Sequence, residues 1–270
     1  MKKTISIVLA AVLMMTVFTG CVSKEKQAAI DEYTKAVDTL NEKNAELDTA
    51  VAEANELIKK AEPAFDEKTL PTLETATAEA KAAKVSVPEK MPSKVEEINA
   101  AKVKLSKADY STQLAALKQA KDAYQTSVQQ LKQITAPKES FVINRIKGIK
   151  GITDVAAVTE DNDPNGHLGK QGGYTAQIFF AYDLVETPEW FTSDIIENGT
   201  DGGGSVEVYA NAEDAIEREN YLAGFDGGVL ASGSHAVYGT VLIRTSDYLK
   251  ASEQKALEKA ILESLIRIEK

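Results

Sequence analysis

Apolar side chains recur in alternating steps of three and four through the first part of the chain. Ile30, Tyr33, Val37, Leu40, Leu47, Val51, Ala54, Ile58 and Ala61 keep that rhythm, with Asn44 as its one polar member. Such spacing is a heptad seam and predicts a long amphipathic helix, which Pro63 ends. A second helix is predicted over roughly Asp66 to Lys84, weaker because its inward positions are Leu70, Leu73 and otherwise Ala or Thr. Two prolines in "VSVPEKMPS" (Val85 to Ser93) then break the chain, and Ser93 with Glu96 has the spacing of a capping box. Val95, Ile98 and Leu105 continue a stripe, which Leu114, Leu117, Lys121, Tyr124, Val128 and Leu131 resume after a phase shift near "DYST". The expected packing is an antiparallel, coiled-coil-like hairpin of two long helices, each spanning roughly 60 Å, with the short helix alongside. Asn44 either fixes the register of this seam or lies at its solvated edge.

From Lys138 the pattern changes to short apolar runs separated by turn residues. Ser140 to Ile149 reads as a short helix, and "ITDVAAVTE" and "YTAQIFFAYDL" as two strands. "PEWFTSDIIENG" is expected to be helical, "SVEVYA" a strand, and Asn211 the cap of the next helix, with Asp214 in its first turn. "AVYGTVLIRT" is expected to be the last strand, and Ser252 to begin a final helix carrying Leu257, Ile261, Leu265 and Ile268. This order predicts an α+β domain, a mainly antiparallel sheet with helices on one side. The fold class is therefore α followed by α+β.

Composition places the boundary. Val22 to Pro137 contains no glycine, arginine or tryptophan, whereas the remainder holds fifteen glycines, all four arginines and Trp190. Residues 1–137 carry 19 Lys against 19 acidic residues, and residues 138–270 carry 12 basic against 22 acidic. The net charge of −10 therefore sits entirely in the second half. A helical stalk over 21–136 and an acidic domain over 137–270 follow, joined near "TAPKES". A neutral Lys/Glu stalk and an acidic domain argue against a nucleic-acid partner. They favour basic partners or divalent cations.

The start of the chain has a different character. Lys2 and Lys3 precede the apolar run Ile5–Phe18, which is short for a membrane span and has the layout of a secretory signal over residues 1–20. Thr19-Gly20 before Cys21, the only cysteine, resembles a bacterial lipobox, with Phe18 where such boxes usually carry Leu. The resemblance implies cleavage before Cys21, a diacylglycerol on its sulfur and extracytoplasmic anchoring to the bacterial membrane. Two acyl chains suffice for stable attachment. With one cysteine there is no intrachain disulfide.

"TEDNDPNGHLGKQGGYTAQIFF", "GGGSVEVYANAEDAIERENYL", "LASGSHAVYGTVLIRTS" and "LKASEQKALEKAI" together resemble the C-terminal domain of EbhA-like bacterial surface lipoproteins. They are also similar to a group of secreted domains that pair a DPNG…GGYT loop with a GGSVEVY strand. The resemblance covers roughly Phe141 to Leu265 and implies location and architecture without an activity.

Candidate chemistry is sparse. Asp161, Asp163 and Asn165 before Gly166 begin like a calcium loop, but the twelfth position, where a bidentate carboxylate belongs, is Gly172. The same residues are those of a tight turn. Ca2+ is the one cofactor that the sequence leaves open. His235 lies beside Ser232 and Ser234, yet no G-x-S-x-G surrounds either serine, and "DGGGS" and "FDGGVLASGS" lack a P-loop lysine. Trp190-Phe191 is either a core pair or an exposed contact for a glycan or protein. The expectation is a lipid-anchored binding or adhesion protein with a protein or cell-wall partner. The alternatives are a hydrolase using the His167/His235 region and a purely architectural envelope protein. Oligomeric state is left open.

Overall fold

The computed structural model describes residues 23–186, 188–228 and 233–269. The signal segment, Cys21 and Ser232 lie outside the described residues. Four helices, α1 (Lys24–Lys60), α2 (Thr69–Ala83), α3 (Val95–Ser106) and α4 (Ser111–Gln133), precede a domain built on a five-stranded sheet. Contacts divide the chain into two compact units, Met1–Thr49 with Ala83–Thr112, and Ala50–Ala82 with Gln113–Lys270. The composition boundary near Thr135–Ser140 thus falls inside the second unit.

In the first unit the seam is filled by Tyr33, Val37, Leu40 and Leu47 from α1 with Ile98 and Leu105 from α3, all buried. Asn44 is buried with them and is fully used. Its amide donates to the Val85 carbonyl at 3.1 Å, and its oxygen accepts from the Tyr110 hydroxyl at 2.7 Å. Tyr110 in turn accepts from the Val85 N–H at 2.9 Å, closing a polar triangle. Asn44 therefore does not lie at a solvated edge. The Ser93–Glu96 box is not formed, because α3 begins one residue later with Lys94 as its cap and no side-chain bond there.

The two long helical segments run parallel, where an antiparallel hairpin is expected from the sequence. In the first unit Glu32 pairs with Lys102 and Lys43 donates to the Ala108 carbonyl. In the second, Glu53 pairs with Lys121 and Glu62 with Lys132. Partners ascend together in both. The antiparallel neighbour of α1 is α2, where Lys84 meets Asp48 and Lys81 meets Asn55. Lys84 to Ser93 carries no helix, and non-helical backbone covers up to about 3.3 Å per residue, twice the helical rise, so in the first unit this short stretch serves as the antiparallel neighbour of α1, meeting it at Asp48 and Asn44. The break between α3 and α4 falls at the phase shift, where the Asp109 carboxylate accepts from the Ser111 N–H at 2.9 Å.

The second unit joins the ends of α1, α2 and α4 to the sheet domain. α5 (Glu139–Ile146) is followed by β1 (Ile152–Ala157), β2 (Ala176–Tyr182), α6 (Ile195–Asn198), β3 (Gly203–Val208), α7 (Ala212–Ala223), β4 (His235–Tyr238), β5 (Val241–Thr245) and α8 (Ala251–Ile266). The strands lie in the order β1-β2-β3-β5-β4 and every pair is antiparallel.

One face of the sheet is apolar. Ile178, Phe180, Val206, Val208, Val241 and Ile243 pack with Val142 and Ile146 of α5 and Leu257, Ile261 and Leu265 of α8. Ile134, just past α4, belongs to this core, with Phe65 and Leu131 against it. The Thr240 N–H donates to the Ile134 carbonyl at 2.9 Å. Arg145 fastens α5 to the end of the chain through Glu269 at 2.7 Å and the Arg267 carbonyl at 2.9 Å.

Helices cover the other face as well, so the expectation of helices on one side is corrected. α7 packs Ala215 and Leu222 on Leu242, and α6 packs Ile196 on Phe179 and Val158. Two predicted elements also differ. "AVYGTVLIRT" is a hairpin, β4 and β5, turning at Gly239, whose φ is +62° and where a β-carbon would meet the Ile134 carbonyl at 2.5 Å. "PEWFTSDIIENG" is helical only over Ile195–Asn198. The Asn198 side chain accepts from the Thr192 N–H and donates to the Thr192 carbonyl, both at 2.9 Å, and Thr192 Oγ1 accepts from the Asp194 N–H at 3.1 Å. These local bonds compete with helix formation in that segment.

Candidate functional site

The loop between β1 and β2 is organised by Asp163. Its carboxylate accepts from the Asn165 N–H at 3.0 Å, from the Leu168 N–H at 2.8 Å and from the Tyr174 hydroxyl. Burial by itself would raise this carboxyl, but those donors with the Gly166 N–H outweigh it and hold Asp163 below its ordinary value. The Asn165 amide is directed at Gln177, at 3.2 Å, and the exposed Asp161 lies outside this set of bonds. The three calcium-loop residues therefore serve different partners: both oxygens of Asp163 are occupied by local donors and the Asn165 side chain by the sheet. Among the described residues, no group of three or more His, Cys, Asp or Glu is placed to hold a metal ion. Gly173 closes the loop, where a β-carbon would meet the His167 carbonyl at 2.0 Å.

From this loop a polar network crosses the second face of the sheet. Gln177 passes the contact from Asn165 to Glu207, at 3.4 Å. Glu207 is fully buried in β3 and is surrounded by donors. The Tyr209 hydroxyl lies 2.6 Å from one carboxylate oxygen and Arg218 of α7 3.3 Å from the same atom, while Arg244 of β5 reaches the other at 3.1 Å. A buried carboxylate stands only when its lone pairs are met in this way. Burial, followed by the Glu207 charge, pushes the Tyr209 hydroxyl far above its ordinary range. Tyr174 is raised by burial and by its bond to Asp163. The network joins residues from three of the four segments quoted together from the sequence: TEDNDPNGHLGKQGGYTAQIFF, GGGSVEVYANAEDAIERENYL and LASGSHAVYGTVLIRTS. Glu207 itself is missed by the sequence reading, because polar positions on a strand opposite Val206 and Val208 read as solvated. The available signal is arginine scarcity: two of the chain's four arginines converge on this one acid.

The two histidines have separate partners. His167 sits edge-on to Tyr174, with centroids 6.4 Å apart. His235 lies between Glu219 at 3.4 Å and Asp226 at 3.3 Å. Ser234 precedes His235 at the start of a strand, so the two side chains leave opposite faces of the sheet. The serine hydroxyl meets Thr245 at 2.7 Å, and α8 supplies Gln254 to its N–H and Glu258 near its oxygen. Ser234 and His235 thus do not form a nucleophile–base pair. On that same α8 side, burial and the Glu258 carboxylate push the Tyr238 hydroxyl up to about 12.

A further cluster lies at the surface. Trp190 is 57% exposed and Tyr248 46% exposed, and both touch Phe191, with centroids 4.5 and 6.1 Å from it. Phe191 packs against the apolar core and anchors the other two rings. Of the Trp190-Phe191 pair, the first is a surface residue and the second is half-buried. Each exposed ring follows an exposed carboxylate, Glu189 and Asp247. Asp201 is raised above its ordinary value by burial and then by the Asp247 charge, against the pull of Arg244. Two carboxylates thus share one field beside β5.

No known family, curated protein or solved structure matches this chain. Among the described residues, no helix is long and apolar enough to cross a membrane.

Proposed function

We propose that this chain is a lipid-anchored extracytoplasmic binding protein whose acidic sheet domain captures a protein or cell-wall partner. The tether is the diacylglycerol on Cys21, implied by the lipobox-like Thr19-Gly20-Cys21 after an apolar run. The observation that carries the binding reading is the exposed contact between Trp190 and Tyr248, centroids 6.5 Å apart, on a half-buried Phe191. Large rings held at the surface on a rigid base are what interface anchors are made of. By contrast, the buried groups around Glu207 are bound to one another and tie the loop, sheet and α7 together.

The test is capture of envelope fragments by the full-length chain on vesicles. Wild type is expected to retain fragments, and the Trp190→Ala, Tyr248→Ala double variant to lose most of that retention while melting at the same temperature. Equal retention by both would reject the aromatic surface as the binding site. For the tether, Cys21→Ser is expected to move the protein from the membrane to the soluble fraction of cells. Unchanged membrane association would reject lipidation there.

A further inference from the structure

We infer that the Trp190–Phe191–Tyr248 surface takes a cationic polypeptide segment, a short run of Lys or Arg side chains on a protein partner. The inference rests on the binding reading above and specifies the chemistry of its partner.

Three observations bear on it. First, the rings are accessible: Trp190 and Tyr248 are about half exposed and touch each other and Phe191. Among the described residues, the two guanidinium groups found over rings lie elsewhere, Arg145 on Phe141 and Arg218 on Tyr221. An ammonium or guanidinium over a Trp or Tyr face is attracted by the ring's negative centre, most strongly for Trp. Second, the local charge is mainly negative, with Lys250 two residues after Tyr248 already paired with Glu253 at 3.5 Å. From Asp183 to Gly202 the chain carries Asp183, Glu186, Glu189, Asp194, Glu197 and Asp201, with no lysine or arginine. Five of these six are exposed, and Asp247 beside Tyr248 is exposed too. Third, the Asp201 and Asp247 charges repel each other, a cost that an incoming cation relieves.

These features together select against the other occupants of an aromatic surface. A neutral glycan uses the rings and gains nothing from the carboxylates. A second copy of this domain brings ten excess negative charges against the same surface. A free divalent cation uses the carboxylates and ignores the rings. Only a cation on a flexible apolar stem uses both, and Lys and Arg side chains have that form.

Trp190 is the chain's only tryptophan, so its fluorescence reports on this surface directly. The full-length chain in detergent is titrated with hexalysine, hexaarginine, hexaglutamate, a neutral chito-oligosaccharide and Ca2+. Saturable change in Trp190 emission with both basic peptides is expected, weaker at higher salt, and absent with hexaglutamate. Tyr248→Ala, which keeps every charge and the probe, is expected to weaken the basic peptides by about two- to fivefold. Equal affinity in Tyr248→Ala would reduce the effect to general attraction by an acidic protein and overturn the inference. Saturable change with the glycan and none with the basic peptides would overturn it while leaving the binding reading standing. No change with any probe, together with no capture of envelope fragments, would overturn both.

Discussion

The two faces of the central sheet are held by opposite means. On one, Ile178, Val206 and Ile243 meet α5 and α8 through apolar contact alone. On the other, Gln177, Glu207 and Arg244 occupy the neighbouring positions of the same three strands and are buried too, Gln177 and Glu207 completely. The apolar face draws its stability from area removed from water and tolerates exchange of one hydrocarbon for another. The polar face gains little net energy, since its charges have been taken out of water, but each group accepts one arrangement of its neighbours. The first face therefore supplies stability to the domain, and the second sets how the DPNG loop and α7 dock on it.

The difference is most sharply broken at Glu207. Glu207→Ala leaves Arg218 and Arg244 facing each other across a buried space, and is expected to cost about 3–5 kcal/mol in urea unfolding of the full chain. Replacing the carboxylate and the Arg244 guanidinium together, as Glu207→Leu with Arg244→Met, is expected to cost less than Glu207→Ala. If the double change costs as much as the two single changes added, the network is not a coupled unit. On the apolar face Ile178→Ala is expected to cost about 2–4 kcal/mol, with Ile178→Val near 1. There the loss follows volume, and no second substitution restores it.

A smaller effect separates the faces by pH. Asp163 lies below its ordinary value in the folded chain, so its contribution is complete above the unfolded aspartate range, near 4. It is lost as pH falls through the lower, folded value. Asp163→Asn is expected to cost about 1–2 kcal/mol at pH 7. Wild type and variant should then converge in urea midpoint as acid protonates Asp163. Parallel curves down to pH 3 would show that the carboxylate charge contributes nothing to the loop.

Much of this was legible in the sequence, and the failures share a cause. The α1 seam was readable because Leu40, Leu47, Val51 and their neighbours lie at one period and face one way. The Asn211 cap was readable for the same local reason, and its side chain accepts from the Asp214 N–H at 2.9 Å. The direction of the long helices was not, since seam spacing is the same for parallel and antiparallel packing and only the reach of Lys84–Ser93 decides. The hairpin within "AVYGTVLIRT" was hidden because the turn at Gly239 is dictated by the distant Ile134 carbonyl. Glu207 was hidden because alternation marks which residues face away from an apolar core, and says nothing of a second layer on the far side. The exposed partner of Trp190 was hidden too: Tyr248 is 58 positions away in the chain and meets it only in the fold.

The smallest effect on stability belongs to the residues proposed to matter most for function. Trp190 and Tyr248 keep about half their surface in water, so cutting either to alanine removes little buried area. Each change is expected to move the unfolding free energy by no more than about 0.5 kcal/mol, as surface substitutions do. Phe191, packed against the core beneath them, is the internal control, and Phe191→Ala is expected to cost several times as much. Chemical denaturation of the three alanine variants measures this ordering. A loss at Trp190 or Tyr248 as large as that at Phe191 would make the cluster an extension of the core, and would remove the reason for reading it as a contact surface.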